Sequence, residues 1–209
     1  RDGKELFSGS YDRTVRIWDI QSGNSRTLTG ANAFITSVAL SPDGNTLAAG
    51  SSTSIVLWNT QTAKWTRNLE GLLANVRAVA FAPDAKTLAA AVGNSIKLWD
   101  GGSGFLAHSL EGHSSRVNAV AFSANGKILA SASADKTIKL WDVGKSRAIG
   151  NPLTGHGANV SALAFSPDGK MIATGSVDRM IRLWDVQTGR SRPPFEGHVT
   201  LISAIAFSP

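Results

Sequence analysis

One residue type sets the period of this chain. Trp18, Trp58, Trp99, Trp141 and Trp184 follow one another at intervals of 40, 41, 42 and 43 residues. A fixed spacing of about 20 to 50 residues marks a repeat architecture, in which each unit buries its apolar face by stacking on its neighbours. Each of these tryptophans ends an alternating run, VRIW, IVLW, IKLW, IKLW and IRLW, which reads as a strand. Five further apolar runs begin upstream, ITSVALSPDG (35–44), VRAVAFAPDA (76–85), VNAVAFSANG (117–126), VSALAFSPDG (160–169) and ISAIAFSP (202–209). Four of them end in tight-turn residues and the fifth in Ser-Pro. LAAG, LAAA, LASAS and IATGS lie in between, and QSG, QTA and QTG follow three of the tryptophans before a short outer stretch, which gives four strands per repeat.

Two dipeptides recur in phase with the period. Trp-Asp stands at 18–19, 99–100, 141–142 and 184–185, with Trp58-Asn59 as a departure, and Gly-His stands at 112–113, 155–156 and 197–198. On these motifs the chain resembles the WD-repeat (WD40) family over its whole length. The resemblance implies an all-β, five-bladed β-propeller of four-stranded antiparallel blades. It also implies a non-enzymatic protein that holds partners on its loop surface.

The tryptophan indole N–H is a donor that needs an acceptor when the ring is buried. Ten residues before Trp18, Trp141 and Trp184 stand Ser8, Ser131 and Thr174, set across from the ring by hairpins turning near Asp12, Asp135 and Asp178. The Gly-His histidines enter at the same end of the blade, because alternate turns of an up-and-down sheet share an end. This predicts the chains Trp141, Ser131, His113, Asp135 and Trp184, Thr174, His156, Asp178, matching the hydrogen-bonded tetrad of the family. The third is Trp18, Ser8, His198, Asp12. Two repeats lose the set together: Ala31, Ala48 and Ser52 precede Trp58, and Leu72, Ala89 and Gly93 precede Trp99. Joint loss is expected, since a partly satisfied buried network costs more than an apolar one.

Counted by repeat, 30–70, 71–111, 112–154 and 155–196 are whole units, and 1–29 and 197–209 are remnants. The C-terminal remnant carries Gly-His and a first strand; the N-terminal one resumes with strands two to four. Joined, they complete a fifth blade in a single 1–209 domain, and His198 reaches Asp12, Ser8 and Trp18. A closed monomeric ring is therefore expected, with a fragment of a longer array or two chains paired end to end as alternatives.

The composition adds exclusions. Zero cysteines rule out disulfides and thiolate metal sites and fit an intracellular, cytoplasmic location. No apolar run approaches the roughly 18 residues of a membrane span. The net charge of +6 is spread through every repeat, as at Arg16, Lys97, Lys139 and Arg182, without a basic run, which argues against nucleic acid. Asp43, Asp84 and Asp168 read as turn formers, not metal ligands. No phosphate loop occurs, and Asn159-Val160-Ser161 is a coincidental sequon leading into an inner strand. His108 and Trp65 fall outside the repeat pattern, near outer strands. Neither a catalytic residue nor a cofactor is expected: Ser8, His198 and Asp12 have triad chemistry, but the serine is committed to Trp18.

What remains is binding on loops, which carry function in such folds. Just before the inner strands stand Phe34, Asn75, Arg116, Asn159 and Leu201; before the Asp turns stand Tyr11, Ala134 and Val177. Tyr11, Phe34 and Leu201 are expected to form an aromatic and apolar patch, with Arg116 farther round, for a protein or peptide partner. The alternative is a carbohydrate-binding, lectin-like propeller, which needs a repeated aromatic platform, whereas aromatics at these positions are sporadic.

Overall fold

The computed structural model describes residues 3–52, 54–69 and 72–208. Among them there is no helix, and the strands form five antiparallel meanders. The first sheet holds β1 (Glu5–Gly9), β2 (Val15–Asp19) and β3 (Ser25–Leu28); the second holds β4 (Ser37–Leu40), β5 (Thr46–Gly50), β6 (Ile55–Asn59) and β7 (Lys64–Leu69). The third holds β8 (Val76–Phe81), β9 (Thr87–Val92), β10 (Ser95–Asp100) and β11 (Leu106–Leu110). The fourth holds β12 (Val117–Phe122), β13 (Ile128–Ser133), β14 (Ile138–Asp142) and β15 (Arg147–Leu153), and the fifth β16 (Val160–Phe165), β17 (Met171–Ser176) and β18 (Ile181–Asp185).

The residue after each repeated tryptophan caps the following turn. Asp19 Oδ1 accepts from both the N–H and the hydroxyl of Ser22 at 2.7 Å, and Asp185 does the same for Thr188 at 2.8 Å. Asn59 serves Thr62 in the same way at 2.9 and 3.0 Å, so the departure from Trp-Asp keeps the function of the position. Such side-chain acceptors reinforce turns that the backbone also closes, as Gly23 N donating to Asp19 O and Gly189 N to Asp185 O, both at 2.9 Å.

Four of the phased tryptophans pack backwards onto the preceding sheet. Trp58 joins Val15, Ile17 and Leu28; Trp99 joins Ile55, Leu57 and Leu69; Trp141 joins Ile96, Leu98 and Leu110; Trp184 joins Ile138, Leu140 and Leu153. Close approach between sheets needs glycine: a Cβ on Gly9 would stand 2.4 Å from Ile35, and one on Gly50 2.6 Å from Val76.

Two expectations change. The fifth sheet has three strands, and its outer stretch makes only isolated bridges, Ile181 to Phe195 and Trp184 to Ser191. Pro193 and Pro194 lie in that stretch and lack the N–H that a ladder needs. The expected closing blade is also not seen among the described residues. Ile202 N donates to Ser176 O at 3.2 Å, as Val76 N does to Ser51 O at 3.1 Å, and Ile202 covers Gly175 as Val76 covers Gly50. The C-terminal segment thus stands beside the fifth sheet in an inner-strand position. Among the described residues, however, 197–208 have no ladder to β1, and no apolar cluster joins the first sheet to the fifth. Residues 1, 2, 70, 71 and 209 of the expected boundaries lie outside the described residues.

Candidate functional site

The fourth and fifth sheets assemble their networks from strand, loop and turn. Trp141 Nε1 donates to Ser131 Oγ at 2.8 Å, Ser131 Oγ lies 2.7 Å from His113 Nε2, and His113 Nδ1 lies 2.7 Å from Asp135 Oδ2. In the fifth sheet Trp184, Thr174, His156 and Asp178 repeat this at 2.8 Å throughout. The indole can only donate, so the hydroxyl accepts from it and donates onward to Nε2. Nδ1 then carries the proton and donates to the carboxylate. Burial pushes both imidazoles below their ordinary 6.5, against the opposing pull of Asp135 and Asp178. Burial also works to raise Asp135, but the Thr137 hydroxyl and His113 outweigh it, and the carboxyl ends below its ordinary 3.8. Ser131 and Thr174 are fully buried with both hydroxyl roles committed, so neither is placed to act as a nucleophile.

The first sheet is brought only halfway there. Trp18 Nε1 donates to Ser8 Oγ at 2.8 Å, but His198 is exposed and, among the described residues, bonds neither Ser8 nor Asp12. Asp12 instead accepts from the N–H and hydroxyl of Thr14 at 2.8 and 2.7 Å. His198 lies in the segment that makes no ladder to β1 among the described residues.

The sheets without histidine also depart from the count. Ser131 pairs with Lys139, two residues before Trp141, and the residues so paired in the second and third sheets are Ala49 with Val56 and Ala90 with Lys97. The hydroxyl position therefore falls to Ala49 and Ala90, not to Ala48 and Ala89, because these hairpins are one residue shorter. Ala31 and Leu72, counted from the inner strand, keep the histidine position; Ser52 and Gly93 lie at the shortened turns. Trp58 finds a substitute acceptor, the Thr29 carbonyl at 2.7 Å.

At the loop end, Tyr11 and Phe34 come together with ring centroids 5.7 Å apart, and the Arg13 guanidinium lies 5.6 Å from the Phe34 ring. Both rings are well exposed, at 70% and 52%. Leu201 does not join their sheet; the bond from Ile202 to Ser176 brings it to the turn of Val177, and both side chains are exposed. Asn75 and Arg116 are exposed and Asn159 half-buried, each with a carbonyl that accepts from the adjacent hairpin: Gly93, Ala134 and Val177 respectively.

Sequence reasoning passed over Arg13, Lys136 and Arg179. Each follows the turn aspartate, has a positive φ of 71–72° and is exposed at the same end. The signal was present as Asp-Arg, Asp-Lys and Asp-Arg in three aligned turns. Asp43 and Asp168 take serine hydroxyls and turn N–H groups, and Asp84 takes the Lys86 N–H, as turn formers do. Trp65 is about half exposed, donates to Asn68 and lies over Gly30; His108 is exposed on β11.

The chain belongs to the WD40 repeat family: the family model described as "WD domain, G-beta repeat" matches residues 1–19, 23–59, 64–100, 104–142 and 148–185. It is similar to the small ribosomal subunit protein RACK1y of Oryza sativa subsp. japonica, 38% identical over 61 residues, 28% of this chain and 18% of that protein. Protein tipD of Dictyostelium discoideum is 39% identical over 64 residues, 30% of this chain and 10% of its own length. Coronin-7 of Mus musculus is 57% identical over 44 residues, 21% of this chain and 5% of its own length. The matches thus span less than a fifth of each of these relatives.

Proposed function

We propose that the chain is a non-catalytic interaction module that holds a protein partner on the loop end of its sheets. The observation that carries this reading is the exposed Tyr11 and Phe34 pair with Arg13 against it. Aromatic side chains and arginine are enriched in the centres of protein interfaces. Arg116, Lys136 and Arg179 add cations at the same end, which favours a partner segment that joins apolar and acidic residues. Asn75, Asn159, Val177 and Leu201 form the rest of the face. One similar protein is named as part of the small ribosomal subunit, which agrees with a role inside assemblies.

The test is capture of a partner by the intact chain, followed by mass spectrometry. The double change Phe34→Ala, Arg116→Glu should abolish capture while leaving the melting temperature nearly unchanged. Retained capture, or capture lost only together with folding, removes this face.

A further inference from the structure

Four of the five sheets begin with an inner strand, and the first does not. β4, β8, β12 and β16 pair with β5, β9, β13 and β17, whereas β1 is an edge strand among the described residues. Apolar surface is left open as a result. Leu6 is 57% exposed, while its counterparts Leu47, Leu88, Leu129 and Ile172 are 0 to 1% exposed. Trp18 is only half-buried and packs on no preceding sheet among the described residues, although the other four phased tryptophans are buried.

The fifth sheet has the reverse deficit. Ile181 and Leu183 are half-buried at the positions where Ile138 and Leu140 lie buried beneath Trp184. The start of an inner strand is nonetheless in place beside this sheet. Thr36 Oγ1 donates to Val76 O and Asn118 Nδ2 to Val160 O, at 2.6 and 2.8 Å, each reaching the inner strand of the next sheet. Ser161 Oγ donates to Ile202 O in the same way. Ile202 thus opens an inner strand that no second strand pairs among the described residues.

The two deficits match in register. Phe81, Phe122 and Phe165 pair with Leu88, Leu129 and Ile172, and the same count sets Phe207 opposite Leu6. His198 stands four residues before Ile202, as His156 does before Val160. Asp12 already accepts from the N–H and hydroxyl of Thr14 as Asp135 does from those of Thr137, and Trp18 already donates to Ser8. Sheet one therefore holds every member of the network except the histidine.

We infer that the chain associates head to tail with a second copy of itself. Residues 198–208 of one copy complete the first sheet of the next, whose Trp18 seats on Ile181 and Leu183 and whose Ser8 and Asp12 receive His198. This sheet-to-sheet contact is one the chain already makes four times internally, and an exposed strand edge is a ready template for a strand from another chain. The chain's own 197–208 make no ladder to β1 among the described residues, which favours a second copy as the donor. The contact is heterologous, so copies add until the rotation closes.

Light scattering of the full chain from roughly 1 µM to 1 mM should show the mass rising from that of one chain to at least twice that. The sequence has no cysteine, so introduced ones report without background. Leu6→Cys mixed with Phe207→Cys under mild oxidation should give a disulfide-linked dimer that neither variant gives alone. Should either fail to fold, Phe7→Cys with Ala206→Cys probes the adjoining pair. His198→Ala should weaken association about fivefold or more while leaving the melting of the dilute, unassociated chain unchanged. A mass constant at one chain, the absence of a mixed dimer, a link closing within a single chain that carries both cysteines, or undiminished association by His198→Ala overturns the inference. None of these readouts uses the Phe34 and Arg116 face.

Discussion

His113 Nδ1 lies 2.7 Å from the Asp135 carboxylate, and the histidine is held neutral by burial although an anion stands beside it. The same holds for His156 and Asp178. Both imidazoles titrate below 6.5 in the folded chain and near it when unfolded, so between these values the unfolded state binds more protons. Stability should be complete above about pH 6.5 and fall as the pH drops towards the folded-state values. The lowered aspartates act in the same direction below their ordinary 3.8. Urea denaturation between pH 8 and pH 4 should show an early loss in midpoint that His113→Gln with His156→Gln diminishes. A flat profile across the histidine range contradicts the neutral, buried assignment.

Removing either histidine takes one hydrogen-bond partner from a carboxylate and one from a buried hydroxyl. His113→Ala and His156→Ala should each cost about 1 to 3 kcal/mol. His198→Ala should stay within about 0.5 kcal/mol, as for an exposed side chain with no partner among the described residues. Equilibrium denaturation of the three variants separates the cases, and a loss at His198 equal to the others would mean that the first sheet completes its network in solution.

A histidine placed where none is received should gain nothing. Ala31→His faces Ala49 in place of a hydroxyl, and the Trp58 indole already donates to Thr29. The melting temperature should not rise. An increase would show that the network tolerates partial assembly.

Sheet spacing is tested at Gly50. A methyl group there would stand 2.6 Å from Val76 Cγ1 and 3.3 Å from Val79, so one side of the interface must move. Gly50→Ala should destabilise by about 1 to 3 kcal/mol, read from chemical denaturation.

Much of the fold was legible because its signals are periodic. The tryptophans fix the third strand of each repeat, and the turn aspartates and Gly-His pairs fix the networks of the fourth and fifth sheets, since a buried donor and its acceptor need constant spacing. Counting back from tryptophan failed at Ala48 and Ala89 because it assumes a constant hairpin length. The seam was not legible either: the sequence of 197–209 matches an inner strand, and Ile202 takes that position beside Ser176, but a period carries no information on rotation between sheets. Among the face residues, Tyr11 with Phe34 was readable from aligned loops, whereas Arg13, Lys136 and Arg179 were hidden by their role as ordinary turn residues.

The backward packing of Trp58, Trp99, Trp141 and Trp184 has a consequence for how the chain comes apart. Every apolar cluster unites one sheet with the next, so each sheet owes its stability to nearest neighbours, as in a one-dimensional chain of coupled units. The third sheet has such a cluster on both sides, while the first and fifth each share in only one. Amide exchange should therefore be slowest in β9 and β10 and grow faster towards both ends, with unfolding entering from the termini as a fraying front.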